Sequence, residues 1–212
     1  MVVTIRVGSG PFTDLVSDHL RALAEGAQHL QSAAATIGSW GDHLAQVFSM
    51  GGMVLACGNG GSAAEAQHLT GELLGRFREE RRPLPAVALT ADSAAVTAIA
   101  NDYGIEELFA RQVRAYGRPG DVLVALSTSG TSPNVIAAAK AGLDLGVTVW
   151  ALTGPPPNPL AALSDSAIAI DAPTVATVQE IHLSLVHALC IALDKALHDK
   201  ALHDEALQED EW

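Results

Sequence analysis

Five short apolar runs, "MVLAC" (53–57), "PAVAL" (85–89), "DVLVAL" (121–126), "VTVWAL" (147–152) and "SAIAI" (166–170), alternate with stretches of helical periodicity. Runs that are apolar at nearly every position suit strands buried on both faces, and such strands are parallel and covered by helices on each side. The expectation is therefore an α/β fold with a parallel, doubly wound sheet of four or five strands covered by helices. Composition agrees, being 49% hydrophobic but only 4% aromatic, so that Ala, Val and Leu must let helices pack closely on the sheet.

The 212 residues suffice for a single domain. We divide them into an N-terminal tail (1–11), one domain with leading helices (12–197) and an acidic tail (198–212). The leading segment, Phe12 to Met50, reads as helix, with Leu15, Leu20, Leu23 and Leu30 among polar residues and a second short helix over Trp40 to Phe48. Having no strand, it should pack across another element or another subunit. The last helix, Thr174 to Leu197, is apolar on more than one face, as befits burial against both sheet and partner. Beyond it the repeat "ALHDK ALHDE ALQED" winds its leucines round the axis, and we expect it to fray, with His198 and His203 as remote metal candidates.

A formal charge of −12 with only twelve Lys and Arg argues against nucleic acid and anionic lipid as partners. Cys57 and Cys190 lie in separate apolar runs without metal or redox spacing, and read as reduced, buried thiols. No apolar run reaches about 18 residues and no leader pattern is visible, so the expected location is cytoplasmic.

In a doubly wound sheet ligands gather at the carboxyl ends of the strands, which directs attention to three loops. After the third run comes "STSGTSPN". The hydroxyls of Ser127, Thr128, Ser129 and Ser132, with the backbone N–H groups that open the next helix at Pro133, form a neutral cup for phosphate. An ordinary Ser/Thr turn capping a helix is the bland alternative. After the first run comes "GNGGSA", which is neither a dinucleotide fingerprint nor a P-loop. Gly58, Gly60 and Gly61 permit close approach of a ligand, while Asn59 and Ser62 supply polar contacts. After the fourth run, "TGPPPNP" makes a stiff turn.

His68 and Glu72 are spaced i, i+4 and share a helix face that suits a divalent metal, a base with its orienter, or merely a solvated pair. On the last helix Gln179, His182 and His187 sit among apolar neighbours, where an unpartnered polar group is costly. Gln179 and His187 are about 80° apart round the axis and can converge on one site. Either histidine also fits a satisfied core position.

Taken together, "GNGGSAAEAQHLTGELLGRF", "AIANDYG", "STSGTSPNVI" and "VQEIHLSLVH" resemble the sugar isomerase (SIS) domain family, and within it the phosphoheptose (sedoheptulose-7-phosphate) isomerases. The similarity runs from about residue 12 to 195. It implies a five-stranded parallel sheet sandwiched by helices, a three-layer αβα arrangement, in a homotetramer with active sites between subunits, catalysing aldose–ketose interconversion of a heptose phosphate through an enediol. It implies phosphate in the Ser127, Thr128, Ser129 and Ser132 cup, the sugar held by Asn59, Gly60, Gly61, Ser62, Asp102 and Gln179, and Glu72 and His187 as acid and base. His68, Glu72, Gln179 and His187 match the zinc ligands of metal-binding members, where zinc either polarises sugar oxygens or fixes those side chains. The chain departs from the isomerases at Ala176, where they often carry an acid that Asp171 is placed to replace, and in the proline-rich "GPPPNP" loop. A non-catalytic tetramer that assists a replication initiator shares the Ala176 departure but lacks the Glu and His. A sugar-phosphate sensor is normally joined to a further domain.

Overall fold

A computed structural model describes residues 11–209. Helix α1 (Pro11–His29) runs through a 3-10 turn (Leu30–Ala33) into α2 (Ala34–Ser49), and then come β1 (Val54–Cys57), α3 (Gly61–Leu74) and β2 (Ala86–Ala88). Next are α4 (Ser93–Tyr103), α5 (Glu107–Tyr116), β3 (Val122–Ser127), α6 (Pro133–Asp144) and β4 (Thr148–Thr153). The chain closes with α7 (Pro159–Leu163), β5 (Ser166–Ala169) and α8 (Val175–Glu209). All five expected strands are present: β1, β2 and β5 are shorter by a residue or two, and β3 and β4 start and end one residue later. Their order is β2-β1-β3-β4-β5, every pair parallel.

The strands sort their side chains by alternation. Val54, Ala56, Val122, Val124, Leu126, Trp150 and Leu152 point into a core shared with α2, α3 and α8. Leu55, Cys57, Leu123, Ala125, Val149 and Ala151 point into a second core beneath α5, α6 and α7. Each fully buried Leu, such as Leu55 or Leu123, contributes about 1.5–3 kcal/mol, so the doubly covered central strands are the strongest part of the fold.

Of the leading helices, the first ends at His29 and the second begins well before Trp40. The second spans Ala34–Ser49 and packs along α8, and its Trp40 ring stacks on Trp150 of β4 at 4.5 Å between centroids. Helix α8 is also longer than expected: it continues through the local repeat to Glu209 instead of fraying after Leu197. Ala, Leu, Lys, Glu and Gln are strong helix formers, and the Lys195–Asp199 pair at i, i+4 supports that turn. The tail expected over residues 1–11 lies outside the described residues except for Pro11, as do residues 210–212 and the side chain of His203.

Within α8, Val175–Ala201 is long and apolar enough by composition to cross a membrane. Its apolarity has another use here, since Val178, Ile181, Leu185, Val186, Leu189, Cys190 and Leu193 are buried in the protein core. The topology reverses direction between β1 and β3, which lie side by side while their neighbours β2 and β4 lie outward. The loops following β1 and β3 therefore flank the crevice where such sheets bind ligands.

Candidate active site

The loop after β3 is a locked cup. Ser127 is buried, and its Oγ lies 3.1 Å from Ser132 Oγ and 3.4 Å from Ser129 Oγ while accepting from the Gly130 N–H. Ser132 occupies the N-cap of α6 but makes no capping hydrogen bond, because its hydroxyl turns toward Ser127. Pro133 has no N–H and the Val135 and Ile136 N–H groups bond the Ser132 carbonyl, which leaves the Asn134 N–H for a ligand at the positive end of the helix dipole.

Two neighbours hold this loop in shape. Gly130 adopts φ +61°, and a Cβ there would lie 2.1 Å from Asn158 Oδ1. Asn158 is itself fixed, donating to Thr153 Oγ1 and accepting from Ala161 N–H as the cap of α7. A Cβ at Gly154 would lie 1.9 Å from the Thr128 carbonyl oxygen. The proline-rich turn thus serves as the back wall of the cup. Asn158 was not singled out from the sequence, although an Asn before Pro at the head of a helix is a recognisable cap signal.

The "GNGGS" loop is tied to the cup across the crevice. Asn59 and Asn134 exchange two amide hydrogen bonds of 2.9 and 2.8 Å, joining the loop after β1 to the first turn of α6. Asn134 also escaped the sequence reading, since its partner lies 75 residues away. Gly60 and Gly61 are exposed beside Asn59, whereas Ser62 is buried in the first turn of α3. Gln179 of α8 packs directly on Gly61, where a Cβ would come within 2.5 Å of its Nε2.

His68, Glu72 and His187 come together. His68 Nε2 is 2.8 Å from His187 Nε2 and 3.4 Å from Glu72 Oε1. One donor atom from each of the three lies within 4.8 Å of the others. Two imidazole nitrogens and a carboxylate at this spacing suit a tetrahedral metal, for which ligand bonds of about 2.0–2.1 Å put the ligands about 3.3 Å apart. The cluster is partly open, with His68 exposed and Glu72 and His187 half-buried. Phe77 packs at 5.6 Å from the His187 ring. The Arg81 guanidinium donates to the Glu72 carbonyl at 2.7 Å and pairs with Asp194 of α8 at 3.0 Å, so the chain end of α3 is pinned to α8.

The remaining candidates are placed less centrally. His182 is fully buried and donates from Nε2 to the Thr153 carbonyl, which is the satisfied core histidine of the sequence reading. Asp102 is exposed at the end of α4, accepting from Asn101. Ala176 is exposed, and Asp171 lines a cleft with Gly26, His29 and Leu30 of the leading helices.

The chain is similar to known proteins in sequence and fold. The profile of the SIS domain family matches residues 17–154. The phosphoheptose isomerase of Streptomyces coelicolor is 62% identical over 158 residues, covering 74% of this chain and 68% of its own. That of Methylococcus capsulatus is 44% identical over 192 residues, covering 86% of this chain and 98% of its own. The solved phosphoheptose isomerase of Neisseria gonorrhoeae superimposes with a TM-score of 0.80 at 41% identity, covering 87% of this chain and 99% of its own.

Proposed function

The chain belongs to the SIS domain family as a phosphoheptose isomerase, and from that premise we propose how its residues divide the work. The reaction is the interconversion of sedoheptulose 7-phosphate and D-glycero-D-manno-heptose 7-phosphate, which supplies nucleotide-activated heptose synthesis in the cytoplasm. The observation that carries the assignment is the meeting of Glu72 and His187, from helices far apart in sequence, one of which opens at the loop bonded to the hydroxyl-lined cup.

Phosphate sits in the cup of Ser127, Thr128, Ser129 and Ser132, held by hydroxyls and the Asn134 N–H of α6, which explains how so acidic a chain retains an anion. The sugar extends along Asn59, Gly60, Gly61 and Ser62 toward Glu72 and His187, with the Gln179 amide hydrogen-bonding a sugar hydroxyl. One of Glu72 and His187 removes the C1 proton while the other protonates the C2 oxygen, giving the enediol. The same pair then takes the proton from the C1 oxygen and returns one to C2, completing the aldose. Each group supplies on the order of a hundredfold or more of the acceleration.

His68, Glu72 and His187, with Gln179 as the fourth donor, are the residues that would hold zinc. Bound zinc polarises oxygen atoms as a Lewis acid. Without it, the same side chains still bind and orient the sugar and carry its protons. The active unit is a homotetramer in which Asp102, exposed in the single chain, reaches the sugar across a subunit boundary. Exposed Leu15, Leu20, Leu183 and Ile191 on α1 and α8 supply apolar surface for that contact.

A coupled turnover assay with sedoheptulose 7-phosphate, with and without zinc, tests this reading. We expect turnover in the wild type and a loss of about a hundredfold or more in kcat for both Glu72→Gln and His187→Ala. Wild-type protein that binds the sugar phosphate without converting it would sink the reading.

A further inference from the structure

Glu65 of α3 and His182 of α8 form an ionisable pair that the reaction above does not use. Both side chains are almost wholly out of solvent, at 8% and 0% exposure. Their facing atoms, Glu65 Oε2 and His182 Nδ1, are 3.8 Å apart, and neither has a hydrogen-bond partner. A water does not fit on the line between them, since it would need about 2.8 Å on each side.

The other ring nitrogen decides how many protons the pair must hold. His182 Nε2 lies 3.1 Å from the carbonyl oxygen of Thr153, which can only accept, so Nε2 carries a hydrogen. In a neutral ring Nδ1 then presents a lone pair, and it would face a carboxylate oxygen with nothing between two buried acceptors. One additional proton, resting on Nδ1 or on Oε2, satisfies both atoms together, and a closure of less than about 1 Å makes it a hydrogen bond.

We propose that Glu65 and His182 hold one proton between them, and that this buried bridge fixes the register of α3 against α8. They are positioning residues for the acid/base pair. The inference rests on the assignment of Glu72 and His187 made above. Glu65 precedes His68 by three positions and Glu72 by seven, on the same helix face. His182 stands between Gln179 and His187 on α8. At the opposite end of α3 the Arg81–Asp194 pair ties the same two helices. The cluster is therefore bracketed by two polar ties, one of them wholly internal. Because His182 keeps its bond to Thr153 without Glu65, the back wall of the cup should not feel the loss of the carboxylate.

The test compares Glu65→Gln and Glu65→Ala in the full oligomeric enzyme, with melting and oligomeric state as controls. The Gln amide can donate to Nδ1 and keeps the tie, so its kcat should stay within about threefold of wild type. In Glu65→Ala the tie is gone, and kcat should fall by at least about tenfold, as a misplacement of acid/base groups by less than 1 Å would do, while KM changes little. A Glu65→Ala variant with wild-type kcat overturns the proposal, as does a Glu65→Gln variant that is as impaired as the alanine one. Should Glu65→Ala not fold, the wild type decides by proton NMR. A buried shared proton gives an exchange-protected resonance downfield of the amides, lost in Glu65→Gln, and its absence from the wild type overturns the proposal. Retention of turnover by Glu72→Gln and His187→Ala would instead remove the acid/base assignment itself.

Discussion

The phosphate cup and the His68–Glu72–His187 cluster are built in opposite ways. The cup is a run of consecutive residues without a charged side chain, shaped by its own hydroxyls and braced by backbone contacts at Gly130 and Gly154. The cluster is charged, half-open and assembled from helices whose histidines are 119 residues apart. The region that anchors the substrate is thus set by local sequence, whereas the region that reacts is set by how two helices pack. Damage to the first should appear in binding, and damage to the second in turnover.

The hardest test of that division is Gly154→Ala. The new Cβ would stand 1.9 Å from a backbone oxygen, so the back wall or the cup must move. We expect a loss of stability of about 1–3 kcal/mol, as for overpacked interiors, and a rise in KM of about tenfold or more with a smaller change in kcat. A fall in kcat with KM unchanged would mean that the two regions are not separable.

His68→Ala probes the other side. It removes a donor from the cluster without touching the cup, so zinc affinity measured by calorimetry should fall by at least about a hundredfold. Binding of inorganic phosphate should stay as in the wild type. Zinc binding that survives in this variant would move the metal elsewhere.

The two regions also differed in how far they could be read from residues alone. The five strands were visible because each is buried on both faces and so apolar without interruption, and the cup was visible because its residues are contiguous. Asn134 and Asn158 were not, since an Asn near a helix start looks the same whether it caps, bridges or faces water. Glu65 looked like an ordinary helix residue, and only the fold shows that it turns inward to His182. The length of α8 escapes for a related reason: periodicity reports which face is buried, whereas the strong helix formers of the repeat extend the helix by propensity.

A smaller effect is expected from Arg81→Gln. Arg81 satisfies the carbonyls of Glu72, Leu73 and Gly75 at the end of α3 while pairing with Asp194. Its loss leaves those acceptors and a mostly buried carboxylate unpaired, at a cost of about 1–3 kcal/mol in denaturant unfolding. Because Glu72 sits in the released turn, kcat should drop by a few-fold while KM is kept. An effect on KM alone would contradict the assignment of α3 to turnover.

The two thiols give the mildest test, one beside each region. Burial pushes Cys57, at the end of β1 before the glycine loop, up to about 12 from an ordinary 9.0. Cys190 on α8 is also pushed up to about 12, by burial first and then by the Glu72 and Asp194 carboxylates, with Arg81 opposing. Both thiols therefore stay protonated and resist alkylation at pH 8 while the protein is folded. Between pH 9 and 12 the folded chain holds protons that the unfolded chain has released, so stability must fall as pH rises through that window. The slope is at most about 1.4 kcal/mol per pH unit for each thiol. Glu72→Gln removes a charge that acts on Cys190 and is not among the causes at Cys57, so only Cys190 should become easier to ionise. Site-resolved alkylation of the native protein across this range, read by mass spectrometry, should show the Cys190 profile moving to lower pH in that variant while the Cys57 profile stays in place. Equal movement of both would mean that Glu72 acts through the packing of the sheet, not through its charge, and the reacting region would then be less independent of the anchoring one than its geometry implies.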